Sequence, residues 1–171
     1  SGPNAGNTIV ILWSDHGWSL GEKEHWRKFA LWEEPTRSLL IWKVPGVTPA
    51  GEACRRPVDL MSIYPTLCAL TGVPQPEHVE GLDVTPLLRD PTAPWDVPAL
   101  TTYHRQNHSL RSERWRYIRY ADGSEELYDH QQDPHEWTNL ASSQESVPVK
   151  QQFQPFLPRV NAPELPRAAG K

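Results

Sequence analysis

Asn7-Thr8-Ile9-Val10-Ile11-Leu12-Trp13 is a largely apolar, β-branched run, entered from Gly6 and stopped by Ser14-Asp15-His16-Gly17. A run without a polar face reads as a strand buried on both sides, as in a mostly parallel sheet covered by helices. Ser38 to Val44 has the same texture and stops at Pro45-Gly46. Two such strands imply an α/β core. Ligands in open α/β sheets gather at the carboxyl ends of strands, which is where the first run delivers Asp15 and His16. A carboxylate beside an imidazole suits a divalent cation, and Gly17 permits a tight turn or close backbone approach. The same residues also read as a helix cap followed by a solvent-facing histidine.

Outward from this turn, residues 15 to 37 are rich in Gly, Glu, Lys, His and Trp without a clean period. They read as a long functional loop with a helical turn near Trp26 to Glu34. Pro57 to Gly72 reads as a helix. Asp59 is its N-cap, Leu60, Ile63, Leu67 and Leu70 recur at helical spacing, Gly72 stops it, and Pro65 marks a kink or break. Residues 73 to 98 are loop-rich, with a short Leu82 to Leu88 segment.

From Ala99 the texture changes to short strands: Ala99 to Tyr103, Ser109 to Arg111, Trp115 to Tyr120 and Glu126 to Asp129. Ala121-Asp122-Gly123-Ser124 is a hairpin signal between the last two. After Ala141 the chain is rich in Gln, Pro and Ser and reads as a poorly ordered extension. The expected organisation is an α/β core over residues 1–92, a small antiparallel α+β unit over 93–141 and a flexible tail over 142–171.

Composition narrows the function classes. The chain has 171 residues, 37% hydrophobic and 22% charged, with 18 prolines and 8 tryptophans. That many prolines favours short elements and loops, and the tryptophans supply large core anchors. A net charge of −4 without a basic run argues against nucleic acid as a partner. The Trp115-Arg116-Tyr117-Ile118-Arg119-Tyr120 run is explained by alternation in an amphipathic strand rather than by base stacking. No stretch approaches the roughly 18 apolar residues needed to span a bilayer. Cys54 and Cys68 leave the redox compartment open.

The loop after the turn reads Gly21-Glu22-Lys23-Glu24-His25-Trp26-Arg27-Lys28-Phe29 and runs on to Thr36-Arg37. Ser-Asp-His-Gly, Leu-Gly-Glu, Trp-x-Lys and a Thr-Arg before a strand resemble the formylglycine-dependent sulfatases. The variant is that of the iduronate-2-sulfatase-like branch, in the alkaline phosphatase superfamily. Further blocks are similar to the same family in order: Val58 to Leu67, Gly81 to Leu88, Glu126-Leu127-Tyr128-Asp129, Asp133-Pro134 and Glu136 to Ala141. The resemblance covers about Asn7 to Ala141.

The resemblance implies the C-terminal part of an alkaline-phosphatase-like mixed-sheet core, followed by the family's small antiparallel subdomain. It implies a sulfuric ester hydrolase acting on a sulfated sugar. Asp15 and His16 match the metal ligands, usually of calcium. Calcium prefers oxygen donors, many sulfatases have asparagine at the second position, and by donor chemistry zinc or manganese also suits the pair.

Lys28, thirteen positions after Asp15, matches the family's sulfate-binding lysine. An ammonium there stabilises charge on the leaving oxygen, and one such preorganised donor is worth on the order of 3 kcal/mol. His25 in the same loop and His108 in the subdomain are candidate substrate contacts, with His104, Arg105 and Asn107 beside the latter. Arg37 reads as structural, pairing with Glu33 or Glu34.

The family's nucleophile is a formylglycine made within a Cys/Ser-x-Pro/Ala-x-Arg motif. Neither Cys54-Arg55-Arg56-Pro57 nor Cys68-Ala69-Leu70-Thr71 fits it, and the paired aspartates of the family's N-terminal part have no match. The expectation is a fragment that is inactive alone and is completed by an N-terminal half. The alternatives are a phosphatase or phosphodiesterase of the same superfamily, since Asp-His-Gly occurs there too, and a non-catalytic remnant or binding module. Localisation is unreadable from these residues; the family is usually periplasmic or secreted.

Overall fold

The computed structural model describes residues 2–163. The first run forms β1 (Val10–Trp13) and the second forms β4 (Leu40–Lys43). They pair antiparallel, Val10 opposite Lys43 and Trp13 opposite Leu40, as a two-stranded sheet. Here the expectation of a both-sides-buried strand among parallel neighbours is corrected. The excursion through residues 14–39 returns the chain to the same edge in the opposite direction. Among the described residues no third strand joins the pair, and Val10, Leu12, Trp13 and Ile41 stay half exposed.

Within the excursion, β2 (Ser19–Leu20) and β3 (Trp26–Arg27) form a small hairpin, followed by the short helix α1 (Glu33–Thr36). The predicted helix over 57–72 is a 3-10 turn, Leu60–Ser62, running into α2 (Ile63–Thr71). Pro65 lies in the first turn of α2, where a missing N–H costs nothing. The helix ends at Gly72 in the left-handed conformation, φ 72°. α3 (Thr85–Arg89) is tied to it by the buried Thr66 hydroxyl, which donates to the Ser62 carbonyl at 2.6 Å and accepts from Val84 N at 3.0 Å. Among the described residues no helix is long and apolar enough to cross a membrane.

The third part is a four-stranded antiparallel meander: β5 (Ala99–Thr102), β6 (His108–Arg111), β7 (Trp115–Arg119) and β8 (Glu125–Asp129). Both of its faces are covered, and period-two alternation decides what each receives. Leu110, Tyr117 and Leu127 meet Ala141 and Phe153 on one face. Ile118 and Tyr128 meet Leu31 and Trp32 of the excursion on the other.

The expected tail from residue 142 differs over its described part. A 3-10 turn at Gln144–Ser146 leads into α4 (Val147–Phe153), which buries Phe153 against Tyr117 at a ring separation of 5.7 Å. Lys150 Nζ donates to Glu125 Oε2 at 2.7 Å and to the Ala141 carbonyl at 2.9 Å. A short amphipathic segment became a helix because the sheet offers it an apolar face, a contact that composition does not reveal. The rest of the expected tail, 164–171, lies outside the described residues.

Candidate active-site cleft

The turn after β1 is held from two sides. Ser14 N donates to the Leu39 carbonyl at 3.0 Å and Gly17 N to the Pro35 carbonyl at 2.9 Å, while Ser14 Oγ donates to the His16 carbonyl at 2.8 Å. A Cβ on residue 17 would sit 1.9 Å from the Glu34 carbonyl oxygen and 2.6 Å from that of Arg37. Glycine is therefore required by close approach of the end of α1, the reading made from the sequence.

His16 Nδ1 lies 2.6 Å from the Gly17 carbonyl oxygen, a contact in which the ring nitrogen donates. Nε2 is then the lone-pair nitrogen, and Lys28 Nζ donates to it at 2.9 Å. Asp15 Oδ2 is 3.5 Å from the same Nε2; the aspartate side chain is 79% exposed and the histidine 28%. Adjacent ligands of one cation with bonds of about 2.3–2.6 Å and near right angles stand about 3.3–3.7 Å apart. A ring whose other nitrogen donates to a backbone carbonyl is the usual state of a metal-ligating histidine. The 3.5 Å separation is compatible with two ligands of one divalent ion, provided that Lys28 gives up its hydrogen bond to Nε2.

Asp15, His16 and Lys28 line a broad cleft that is also lined by Tyr103, Arg111 and His130, on or beside the meander strands. Three of the sequence-derived candidates thus converge. His25 does not join them: it packs edge-on against Trp32 at 5.8 Å, and its Nε2 is buried without a protein partner among the described residues. His108 lies on the α4 side of β6, with Nδ1 2.9 Å from Thr102 Oγ1 and Nε2 2.8 Å from Asn161 Oδ1. Both of its nitrogens are spent on the fold. Asn107 is likewise spent, accepting from Ala121 N at 3.0 Å. Arg37 lines the cleft, and of its two expected partners, Glu33 and Glu34, the first is held by Arg111 and Arg116.

The sequence reading missed a buried ion network that fastens the excursion to the meander. Arg116, expected as one side of a simple amphipathic strand, is 2% exposed, and Glu136 is 1% exposed. Arg116 Nε donates to Glu136 Oε1 at 2.5 Å, Nη1 to Ser109 Oγ at 2.7 Å and to the Leu31 carbonyl at 3.1 Å, and Nη2 to Glu33 Oε2. Glu136 Oε2 accepts from Glu33 N at 2.9 Å. Burial raises the Glu33 and Glu136 carboxyls, but Arg116 with Arg111 at the first, and His130 with Arg116 at the second, outweigh it and hold both below the ordinary range.

A second clamp adjoins this one. Lys23 lies over the Tyr128 and Trp32 rings, and Glu126 accepts from Trp32 Nε1 at 2.7 Å and from the Tyr128 hydroxyl at 2.6 Å. Alternation signals which residues share this face, but not that they meet residues 23–33.

Donor atoms of Glu33, His130 and Glu136 lie within 4.8 Å of one another, close enough for one ion. Arg116 already bridges both carboxylates and Arg111 binds Glu33. The charge a cation would supply is in place, so this group is a structural knot.

A family model described as N-sulphoglucosamine sulphohydrolase, C-terminal, matches residues 21–162. The chain is 39% identical over 160 residues to a sulfatase of Formosa agariphila, a match covering 94% of this chain and 31% of that protein. It is similar to a solved protein in complex with its substrate D-glucosamine-2-N,6-O-disulfate, with a TM-score of 0.78 and 25% identity over 89% of this chain and 33% of that one. It is also similar to the phosphonate monoester hydrolase of Agrobacterium radiobacter, with a TM-score of 0.74 and 25% identity over 89% of this chain and 34% of the other. The chain spans about a third of the length of the relatives it matches.

Proposed function

The chain belongs to the sulfatase family, as a C-terminal portion of such a protein, and on that footing we propose that it supplies the metal corner and sulfate-binding lysine of a sulfuric ester hydrolase. The observation that carries this reading is the convergence of Asp15, His16 and Lys28 on one cleft, with His16 Nε2 within 3.5 Å of both partners. Asp15 and His16 would hold a divalent ion, calcium by family habit; when bound, it would polarise the sulfate oxygens and neutralise their charge. Lys28 binds the ester and stabilises charge on the oxygen that leaves. His16, in place of the asparagine common in the family, supports the iduronate-type branch.

Since Cys54 and Cys68 lie outside any Cys-x-Pro-x-Arg motif, the formylglycine nucleophile would come from residues beyond this sequence, on an N-terminal half. A sulfated carbohydrate is the substrate class. The complex of a relative with a disulfated glucosamine supports that assignment. The likeness to a phosphonate monoester hydrolase supports a second reading, because the same corner accommodates a tetrahedral phosphorus oxyanion.

Calorimetry tests the assignment. The chain is expected to bind calcium saturably and glucosamine-6-sulfate in its presence, with the first lost in Asp15→Ala and the second in Lys28→Ala. Undiminished calcium binding by Asp15→Ala would remove the metal corner. A preference for the corresponding phosphate over the sulfate would favour the second reading.

A further inference from the structure

Two side chains on the cleft face of the meander have a polar group that the fold leaves uncommitted. Arg111 donates through Nε to Glu33 Oε2 at 3.1 Å and through Nη1 to the Ser112 carbonyl; among the described residues, Nη2 has no protein acceptor. His130 shares Nε2 with Glu136 Oε1 at 2.8 Å, and among the described residues Nδ1 has no protein partner. Both side chains line the cleft that Lys28 enters. Both are largely buried, at 17% and 8% exposure, so their rings and forks are held rather than swinging in solvent.

Their anchors are common. Arg116 grips Glu33 and Glu136 together, and ligand atoms of Glu33, His130 and Glu136 fall within 4.8 Å of one another. Arg111 and His130 are therefore neighbours on one rigid wall. Their chemistry is complementary. Arg111 Nη2 is a charged donor. A carboxylate can only accept, so the Glu136 contact places a hydrogen on His130 Nε2, and in the neutral imidazole Nδ1 is then an acceptor. A charged donor beside a neutral acceptor matches an acidic substituent next to a hydroxyl on a sugar ring.

Resting on the sulfatase reading above, we propose that Arg111 and His130 form a second recognition wall for a sugar that carries a further acidic group besides its reacting sulfate ester. Arg111 takes that group, a carboxylate or a second sulfate, and His130 Nδ1 accepts from the neighbouring hydroxyl. Charge-assisted bonds of this kind are roughly twice as strong as neutral ones and discriminate strongly against ligands that lack the group.

The test is calorimetry on the 171-residue chain with calcium and three sugars: glucosamine-6-sulfate, glucosamine-2-N,6-O-disulfate and a sulfated hexuronic acid. At least one doubly acidic sugar is expected to bind about tenfold tighter than the monosulfate, and which one gains identifies the group as sulfate or carboxylate. In Arg111→Gln that ratio is expected to fall to near one. Should that variant misfold, Arg111→Lys, which keeps the charge facing Glu33 without the fork, should still reduce the ratio severalfold. In His130→Phe all three sugars should weaken alike, with the ratio kept. Monosulfate binding that needs Lys28 but gains nothing from a second acid would overturn this wall alone. A ratio unchanged in folded Arg111→Gln would do the same, and failure of every sugar to bind would overturn the sulfatase reading with it.

Discussion

At the scale of the residue, the proposed metal corner depends on a glycine as much as on Asp15 and His16. Gly17 lets the end of α1 approach the Asp15–His16 turn, and the Gly17 carbonyl accepts from His16 Nδ1 to hold the imidazole. Gly17→Ala would drive a methyl to 1.9 Å from a backbone oxygen, which has no rotamer through which to move away. Overpacking of this kind costs about 1–3 kcal/mol. We expect lower thermal stability together with weakened calcium binding, followed by calorimetric melting and titration. A variant that keeps both would show that the turn tolerates separation from α1. His108 illustrates the opposite case: by sequence it was a plausible substrate contact, yet Nδ1 is taken by Thr102 Oγ1 and Nε2 by Asn161 Oδ1.

At the scale of the element, the meander is the plate on which the excursion and α4 are mounted. Arg116→Leu would leave Glu33 and Glu136 without their shared guanidinium, and removal of one partner from a buried ion pair costs about 3–5 kcal/mol. Urea unfolding of the chain should show a loss of this size. Phe153→Ala should cost about 3–5 kcal/mol by opening the α4 side of the core. A loss below about 1 kcal/mol would mean that α4 contributes little.

The same network sets an acid limit. Both carboxyls lie lower in the folded protein, so their contribution is complete above the unfolded glutamate value of about 4.3 and is lost as the pH falls through the folded values. The melting temperature should therefore hold down to about pH 5 and then drop, and the drop should be shallower in Glu136→Gln. An equally steep fall in that variant would assign the acid limit to other groups.

At the scale of the whole molecule, the proposed function divides the chemistry. On that reading the chain supplies Asp15, His16, Lys28 and the Arg111–His130 wall, while its cysteines offer no formylglycine motif. The purified chain is expected to hydrolyse no sulfate ester, and turnover that stays with the chain through purification and is lost in Lys28→Ala would contradict the proposed division. An in-frame Cys-x-Pro-Ser-Arg encoded upstream of Ser1 would locate the missing half. The exposed apolar residues of β1 and β4 fit such a division, since a two-stranded ribbon is marginal alone and hydrophobic patches of this kind mark a surface made to be covered.

What the residues determined by themselves was local and ordered along the chain: two apolar runs, a turn bearing Asp15 and His16, Lys28 in the following loop, a helix stopped at Gly72 and four short strands closed by the Asp122-Gly123 turn. Each of these follows from propensity, periodicity or spacing, which neighbouring residues carry on their own. Tertiary structure decided the direction of the β1–β4 pairing, the docking of α4, and the meeting of Glu33, Arg111, Arg116, His130 and Glu136. Those outcomes depend on contacts between segments up to about a hundred positions apart, such as Glu33 N with Glu136 Oε2. Strand alternation tells which side chains share a face, but only packing tells what that face meets, and on this meander that decided whether an arginine or a histidine served the fold or the cleft.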